Sequence, residues 1–248
     1  MKILGIIPAR YGSTRFPGKP LALIHGKSMI QRVFERAFQS QGLSEVVVAT
    51  DDQRIFDHVI AFGGKVVMTA TTHPSGTDRC AETLSKSGNF DLVINIQGDE
   101  PYIHPEQIDL LINSMVSQNA QIGTLVKGIT TKEELFNPNI PKVVRDNEGF
   151  ALYFSRQPIP FSKDSEVEFN ISQRIYFKHI GIYGYQASVL PLLAALKPGK
   201  LEKSESLEQL RWLENGYRIL TSISDHDNIA VDAPGDIEVI EKKFNLSD

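Results

Sequence analysis

The feature that most constrains the fold is a series of short apolar runs separated by longer amphipathic stretches. Each run is rich in Val and Ile and apolar on both faces, and the runs span residues 2–8, 45–49, 65–68 and 92–96. Strands that are buried on both faces of a parallel sheet have this pattern. Hydrophobic residues at helical spacing follow the first, second and fourth runs. The order therefore predicts βαβ units, with helices on both sides of the sheet.

The second half of the chain changes character. Prolines and short β-branched or aromatic segments predict an antiparallel extension around residues 138–185, in which the polar stretch 163–172 is expected to be a loop. Further strands are predicted at 142–144, 150–154, 174–185 and 218–224, and further helices at 206–215 and 234–244. We therefore expect one α/β domain over residues 1–248, with ligands bound beyond the carboxyl ends of the strands.

Charge and cysteine content exclude several classes of protein. The 248 residues carry a formal net charge of -4, which argues against a nucleic-acid surface because such surfaces need clustered Lys and Arg. Cys80 is the one cysteine, so no intrachain disulfide holds the fold. No apolar stretch approaches the length of a membrane span, and the first run is too short for a signal peptide. We expect a cytoplasmic protein without nucleic-acid or membrane partners.

Basic residues and glycines are concentrated directly after the first apolar run, in the segment PARYGSTRFPGKPL at 8–21. Arg10, Arg15 and Lys19 suit the charge of a triphosphate, and Gly12 and Gly18 let backbone N–H groups approach an anion. The segment is not a Walker loop, since five residues separate the two glycines and a proline follows Lys19. A solvated basic loop is the alternative, but its position after a buried strand favours a phosphate site.

Two aspartates stand where a carboxylate can reach a ligand at the sheet edge. Asp99 follows the fourth apolar run, and Asp232 lies between a possible short strand and a helix led by a proline. Either side chain could instead cap a helix, because Asp is a preferred N-cap residue. Asp51 and Asp52 also follow a strand, but they directly precede a predicted helix, and we expect them to be caps.

Seven short motifs occur in order along almost the whole chain. They are the loop at 8–21, ATDD at 49–52, SGTDR at 75–79, QGDEP at 97–101, HIGIYGY at 179–185, LEQLR at 207–211 and VD at 231–232. The set resembles the sugar-acid cytidylyltransferases, and specifically the 3-deoxy-manno-octulosonate (Kdo) cytidylyltransferases. The resemblance implies a Rossmann-like three-layer α/β nucleotidyltransferase fold with a mostly parallel sheet, and a homodimer. It also implies transfer of CMP from CTP to Kdo with release of pyrophosphate, a step of lipopolysaccharide biosynthesis.

The resemblance also implies roles for individual residues. Those expected to bind the nucleotide are Pro8, Ala9, Arg10, Ser13, Arg15, Lys19, Ser75 and Arg79. Those expected to be catalytic are Lys19, Asp99 and Asp232, of which the two aspartates would hold Mg²⁺. Those expected to bind the sugar acid are Gln97, His179, Tyr183 and Glu208.

Structural roles are the alternative for some of these residues. A single histidine in an aromatic strand, such as His179, is often a packed residue, and Arg79 could lie in solvent on a helix that begins at Thr77. Cys80 and Trp212 are expected to pack in the core. The rival functions are a cytidylyltransferase for another sugar acid, such as 8-amino-Kdo or a sialic acid, and a nucleotide-binding module without catalysis. Two carboxylates that can reach a metal speak against the module, because simple binding does not require them.

Overall fold

A nine-stranded sheet forms the centre of the protein in the computed structural model, which describes residues 1–12, 16–163, 167–227 and 229–244. The strands of the described chain are Ile3–Ala9 (β1), Leu23–Ile24 (β2), Lys27–Ser28 (β3), Glu45–Thr50 (β4), Val66–Met68 (β5), Leu92–Asn95 (β6), Ile122–Gly128 (β7), Lys142–Arg145 (β8), Ala151–Ser155 (β9), Phe177–Gln186 (β10) and Ile219–Ile223 (β11). Strands β2 and β3 form a separate antiparallel pair, so the other strands build the sheet.

The order of the strands creates a crevice beside β1. The main path of the sheet is β11-β7-β10-β6-β1-β4-β5, and β1 pairs in parallel with β4 on one side and with β6 on the other. The chain therefore crosses from one side of β1 to the other between β5 and β6. In open α/β sheets such a switch point is where ligands bind, beyond the carboxyl ends of the strands.

Helices cover the sheet, and side-chain caps mark where several of them begin. The helices are Met29–Phe38 (α1), Gln53–Ala61 (α2), Gly76–Ser87 (α3), Pro105–Ser117 (α4), Lys132–Phe136 (α5), Val167–Ser172 (α6), Leu190–Ala194 (α7), Lys200–Glu205 (α8), Gln209–Glu214 (α9) and Pro234–Lys243 (α10). The Asp52 carboxylate accepts the Arg54 amide at 3.0 Å and so caps α2. None of the described helices has the length and apolar character that crossing a membrane requires.

Side chains of β1 alternate between two cores, one on each face of the sheet. Ile3 and Ile7 pack in the core that includes side chains of α1 and α4. Leu4 and Ile6 pack in the other core, which includes Trp212 and side chains of α3 and α7. The structure is therefore three-layered, with helices on both sides of a mostly parallel sheet. The expected fold class is confirmed, and the expected single domain stays a prediction.

The four apolar runs are confirmed as strands β1, β4, β5 and β6, each within one or two residues of the predicted ends. Strand β5 lies at the edge of the sheet and is only partly buried, so the expected burial on both faces is wrong for this strand. The lone cysteine and Trp212 are both buried in the core, as expected, and burial raises the pKa of the Cys80 thiol. The helix predicted at 206–215 is shorter and begins at Gln209, because residues 207 and 208 lie in the turn between α8 and α9.

One expectation for the second half of the chain is wrong. Within the predicted loop at 163–172, residues 167–172 form α6, whose Val167 and Ile171 pack against a small core that includes Tyr176. The expected antiparallel strands are confirmed, and β10 among them lies between β6 and β7 within the main sheet. Strand β7 was not predicted. Its sequence IGTLVKG contains two glycines and a lysine, which interrupt the apolar run.

We predict that Gly184→Ala destabilises the protein. Gly184 lies in β10 opposite Ile94 of β6, and a Cβ atom there would stand 2.2 Å from Met115 Sδ and 3.2 Å from Ile94 Cδ1. Met115 is buried, so its displacement should lower the free energy of unfolding by about 1–3 kcal/mol, as overpacking typically does.

The matched control for this substitution is Gly128→Ala in β7. A Cβ atom at Gly128 meets nothing within 4 Å, so the free energy of unfolding should stay within about 0.5 kcal/mol of the original. Urea denaturation followed by circular dichroism measures both variants. Equal stability of the two would mean that Met115 moves aside at no cost.

Candidate functional site

The crevice beside β1 is formed where the chain leaves β1 and β6. Pro8 and Ala9 end β1, and Gln97, Gly98 and Asp99 follow β6. A Cβ atom on Gly98 would stand 2.7 Å from the carbonyl oxygen of Pro8, a distance that two such atoms do not adopt. Glycine is therefore required at 98 for the loop of Asp99 to lie directly against the end of β1.

A cavity of about 260 Å³ opens at this point. Its lining residues are Pro8, Ala9, Arg10, Lys19, Pro20, Gln97, Gly98, Asp99 and Asp232. The structure thus brings together most of the residues expected to act in catalysis and phosphate binding, although Asp232 comes from the far end of the sequence. Two cations and two carboxylates line the same cavity, and they can act together on one ligand.

Lys19 connects the loops that carry the two aspartates. Its ammonium group donates to Asp99 Oδ2 and to the carbonyl oxygen of Val231, both at 2.7 Å. The amide of Val231 donates in turn to the carbonyl oxygen of Asp99 at 2.9 Å. Lys19 is only 15 % exposed, so this ion pair is screened less than a surface pair. Lys19 is held at the wall of the cavity, between the loops of Asp99 and Asp232.

Neither aspartate caps a helix, so that alternative is wrong. The N-cap residue of α10 is Ala233, and Asp236 Oδ2 accepts the amides of Asp232 and Ala233 at 2.7 and 2.8 Å. The N-cap residue of α4 is His104, five residues after Asp99. Both residues therefore line the cavity rather than cap a helix start.

A second, smaller cavity of about 170 Å³ shares Pro8, Ala9 and Arg10 with the first. Its other lining residues are His73, Pro74, Ser75, Gly76 and Arg79. The two cavities adjoin at Arg10, and together they form an elongated site across the end of β1. An elongated site suits a ligand with distinct parts, such as a base, a ribose and a phosphate chain.

Arg79 lies in this smaller cavity but is not in solvent, as the alternative would have it. Helix α3 begins at Gly76, and the side chain of Arg79 is buried. Its guanidinium group donates to Asp51 Oδ2 at 2.7 Å and to Thr69 Oγ1. The expected cap at Asp51 is therefore wrong, because its carboxylate pairs with Arg79, whereas Asp52 is the cap of α2. Arg79 stabilises the wall of the cavity through these contacts.

Glu208 reaches the start of α3 and so adjoins the smaller cavity. The hydroxyl of Ser75 lies 2.9 Å from Glu208 Oε1, and the hydroxyl of Thr77 donates to Glu208 Oε2 at 3.0 Å. Burial raises the pKa of the Glu208 carboxyl above its ordinary value, although the two hydroxyls oppose this shift. Ser75 thus links the nucleotide-side cavity to a residue expected to bind the sugar acid.

Tyr183 and His179 lie deeper, on β10. The rings of His179 and Tyr183 pack at 5.2 Å, and His179 Nε2 is 2.9 Å from the hydroxyl of Thr124. Burial lowers the pKa of His179 to about 3, so its ring is neutral at physiological pH. The electrostatic influence of Glu208 reaches Tyr183, but neither ring lines the two cavities. Of the residues expected to bind the sugar acid, Gln97 therefore lines the larger cavity, Glu208 adjoins the smaller one, and the two rings lie outside both linings.

Buried polar atoms near these residues were not anticipated from the sequence. Asn95 Oδ1, Tyr183 OH, Gln209 Nε2 and Trp212 Nε1 have no hydrogen-bond partner among the described residues. Buried polar groups are normally paired, so such atoms mark a place where a ligand or water completes the bonding. Asn95 could have been noticed as the polar end of an otherwise apolar strand, LVIN. Gln209 and Trp212 gave no such signal.

Two residues expected to bind the nucleotide, Ser13 and Arg15, lie outside the described residues. The assignments of all the other expected site residues stay predictions, since the geometry locates the side chains without identifying what they bind.

Comparison with known proteins gives the family. The family model described as "Cytidylyltransferase" matches residues 4–219. A 3-deoxy-manno-octulosonate cytidylyltransferase of Thermodesulfovibrio yellowstonii is 50% identical, with 99% of each chain covered. One of the same description from Bacteroides thetaiotaomicron is 52% identical, with 98% of each chain covered.

Solved structures agree. A structure of CMP:2-keto-3-deoxy-manno-octonic acid synthetase complexed with CTP is 42% identical, covers 98% of each chain and has a TM-score of 0.91. A cytidylyltransferase from Leptospira borgpetersenii, 18% identical with a TM-score of 0.64, shares the fold and covers 99% of this chain and 88% of its own. Sequence and structure therefore agree that this chain belongs to the cytidylyltransferase family, and within it to the 3-deoxy-manno-octulosonate cytidylyltransferases.

Proposed function

We propose that this protein transfers CMP from CTP to Kdo, giving CMP-Kdo and pyrophosphate for lipopolysaccharide biosynthesis. The observation that carries the proposal is the cavity at the end of β1, where Arg10 and Lys19 stand beside Asp99 and Asp232. Cations of this kind suit a triphosphate, and paired carboxylates suit the cation that accompanies it. The names of relatives that share about half of the sequence supply the sugar acid.

The reaction is a substitution at phosphorus. The oxygen of the anomeric hydroxyl of Kdo forms a bond to the α-phosphorus of CTP, and the bond from that phosphorus to the bridging oxygen breaks. Pyrophosphate leaves with the electron pair of that bond, and the hydroxyl proton passes to solvent. The protein needs no covalent intermediate, so its task is alignment of the two substrates and stabilisation of charge.

The donor set at the larger cavity fits Mg²⁺. Asp99 and Asp232 offer carboxylate oxygens on one cavity wall, and Mg²⁺ is usually bound through one or two carboxylates together with phosphate oxygens and water. When bound, Mg²⁺ would neutralise phosphate charge and lower the pKa of the attacking hydroxyl. The proposal therefore assigns the two aspartates to the cation and leaves phosphate binding to the basic residues.

Lys19 has a defined place in this scheme. Its ammonium group is bonded to Asp99 and can exchange that carboxylate for a phosphate oxygen at the same cavity wall. The exchange brings positive charge to the leaving pyrophosphate, where negative charge develops. Arg10 lies between the two cavities and can contact the phosphate chain from either side.

The sugar acid is assigned to the polar surface formed by Gln97, His179, Tyr183 and Glu208. The unpaired atoms of Asn95, Gln209 and Trp212 support this, because a substrate with many hydroxyls can complete their hydrogen bonds. Burial raises the pKa of the Glu208 carboxyl, which lies within hydrogen-bond distance of the Ser75 and Thr77 hydroxyls. Buried polar groups of this kind discriminate strongly between substrates.

We also propose a homodimer that acts in the cytoplasm, where CTP is present. Exposed apolar side chains in the antiparallel region support an interface, among them Leu152 at 61%, Phe161 at 88% and Phe169 at 58% exposure. Light scattering that gives the 27.7 kDa mass of one chain at micromolar concentration would contradict the dimer. Recovery of the protein with membranes in cell fractionation would contradict the location.

A substrate panel tests the proposed function. Four nucleoside triphosphates are crossed with Kdo, 8-amino-Kdo and a sialic acid, with Mg²⁺ or with excess EDTA, and pyrophosphate release is measured. We expect turnover with CTP, Kdo and Mg²⁺, and little with ATP or without the metal. Equal rates with ATP or full activity in EDTA would contradict the proposal, and preference for another sugar acid would replace Kdo.

We predict that Asp99→Asn and Asp232→Asn each lower kcat by at least about 10²-fold, because each removes a carboxylate from the proposed metal site. The double variant should be little worse than the worse single variant, since residues that act as a unit are not additive. Asp57→Asn on the exposed face of α2 is the matched control and should keep full activity. Losses that multiply in the double variant would mean that the two aspartates act separately.

We predict that His179→Ala and Glu208→Ala weaken the use of Kdo far more than the binding of CTP. Each change should raise the KM for Kdo at least about tenfold, the size expected when a buried polar contact is lost. Calorimetric titration with CTP should give nearly the original affinity, and Glu133→Ala, exposed on α5, should change neither quantity. Loss of CTP affinity with a normal dependence on Kdo would show that these residues serve the nucleotide instead.

A further inference from the structure

Two histidines and a glutamate meet outside the lining of both cavities. His104 precedes α4, Glu106 lies in its first turn, and His226 follows β11. One ligand atom from each residue lies within 4.8 Å of the others, and His104 Nδ1 is 4.0 Å from Glu106 Oε2. Among the described residues, this is the one group of three or more such side chains arranged so closely.

A buried amide holds the two histidine segments together. Gln107 is fully buried, and its Nε2 donates to Ser224 Oγ at 3.1 Å and to the carbonyl oxygen of His226 at 3.4 Å. Its Oε1 accepts the backbone amide of His104 at 3.4 Å. The amide of His226 donates to Ser224 Oγ at 3.2 Å. The two backbones are therefore positioned by the core, whereas the imidazole rings stay accessible.

We propose that His104, Glu106 and His226 form a binding site for a borderline transition metal such as Zn²⁺. Two imidazoles and one carboxylate make a ligand set that Zn²⁺ accepts in proteins and that Mg²⁺ does not favour. A fourth position would stay open to water, as in zinc sites that have three protein ligands. The site is thus distinct in chemistry from the oxygen ligands Asp99 and Asp232.

The two rings need a small movement before they can bind one metal ion together. The two rings are stacked with centroids 4.1 Å apart at 21°, so their lone pairs run side by side rather than converge. Ligands of tetrahedral Zn²⁺ lie about 3.4 Å apart at bond lengths of about 2.1 Å, so one ring must turn. His104 is 37% exposed and free to do so.

The proposed Zn²⁺ site would affect the loops around the larger cavity. His104 lies five residues after Asp99, and His226 six residues before Asp232, so the metal would join the two loops that carry the cavity carboxylates. The loops already meet through the bond from the Val231 amide to the Asp99 carbonyl. A bound cation would add a second, stronger connection and restrain their relative motion. The proposed Zn²⁺ site does not depend on the proposed function. Only an effect of the restrained loops on the rate of CMP transfer would rest on it.

Titration of untagged, metal-free protein with ZnCl₂ tests the site, in the absence of CTP, Kdo and Mg²⁺. Calorimetry should give one Zn²⁺ per chain. His104→Asn and His226→Asn should each weaken the affinity by at least ~10-fold, since even the outer partners of a metal site are worth that much. Hydrogen exchange should show Zn²⁺-dependent protection of amides in 99–106 and 224–227, which either variant removes.

Controls separate this site from the rest of the protein. His25→Asn removes an imidazole from the turn between β2 and β3 and should leave Zn²⁺ affinity unchanged, as should Asp99→Asn. The Glu106 side chain is 71% exposed, so Glu106→Gln should keep the fold and weaken Zn²⁺ binding. This variant tests the site if the histidine variants are unstable. The proposal is overturned by the absence of Zn²⁺ binding, by binding that both histidine variants retain, or by loss of binding in Asp99→Asn.

Discussion

The ammonium group of Lys19 joins three segments that lie far apart in the sequence. It bonds to the carboxylate of Asp99 after β6 and to the backbone of Val231 before α10, and Val231 bonds in turn to Asp99. Because Lys19 and Asp99 are only 15% and 29% exposed, water screens their attraction less than it screens a surface pair. The ammonium group of Lys19 therefore holds the loop after β1, the loop after β6 and the C-terminal segment together at the cavity.

The balance of charge in the cavity bears on the need for a metal. Arg10 and Lys19 line the same cavity as Asp99 and Asp232, so opposite charges compensate each other before any ligand enters. A triphosphate carries more negative charge than two cations already facing carboxylates can balance. Under the proposed function, a divalent cation that enters with the nucleotide would balance this excess, and this is the physical reason for the proposal that the aspartates hold Mg²⁺.

The parts of the fold that the sequence predicted are those with local signals. Strands β1, β4 and β6 are largely buried and the edge strand β5 is partly buried, and each of the four coincides with a short apolar run in the sequence. Strand β7 was missed because two glycines and a lysine break its run, and α6 because it is short and follows a polar stretch. The place of β10 between β6 and β7 could not be inferred, since pairing between distant segments leaves no mark within either one.

The residues of the candidate site also divide into those with a local signal in the sequence and those without one. Lys19 and Asp99 could be singled out from their positions after buried strands, whereas His179, Tyr183 and Glu208 were identified by resemblance alone. Asn95 was missed because a single polar residue at the end of an apolar strand looks ordinary until its partners are known. His104 and His226 are more than a hundred residues apart, so only the folded chain reveals that they meet.

The position of β10 sets the order in which the sheet can be completed. Strands β1, β4, β5 and β6 can pair once residue 95 has been synthesised, because all their partners in that part of the sheet are present by then. Strand β7 pairs with β10 and β11 in the described chain, and both come later. A nascent chain therefore carries β7 with two open edges until residues 177–186 emerge. Such edges invite pairing with other chains, so the slowest and most aggregation-prone stage of folding falls in the middle of synthesis.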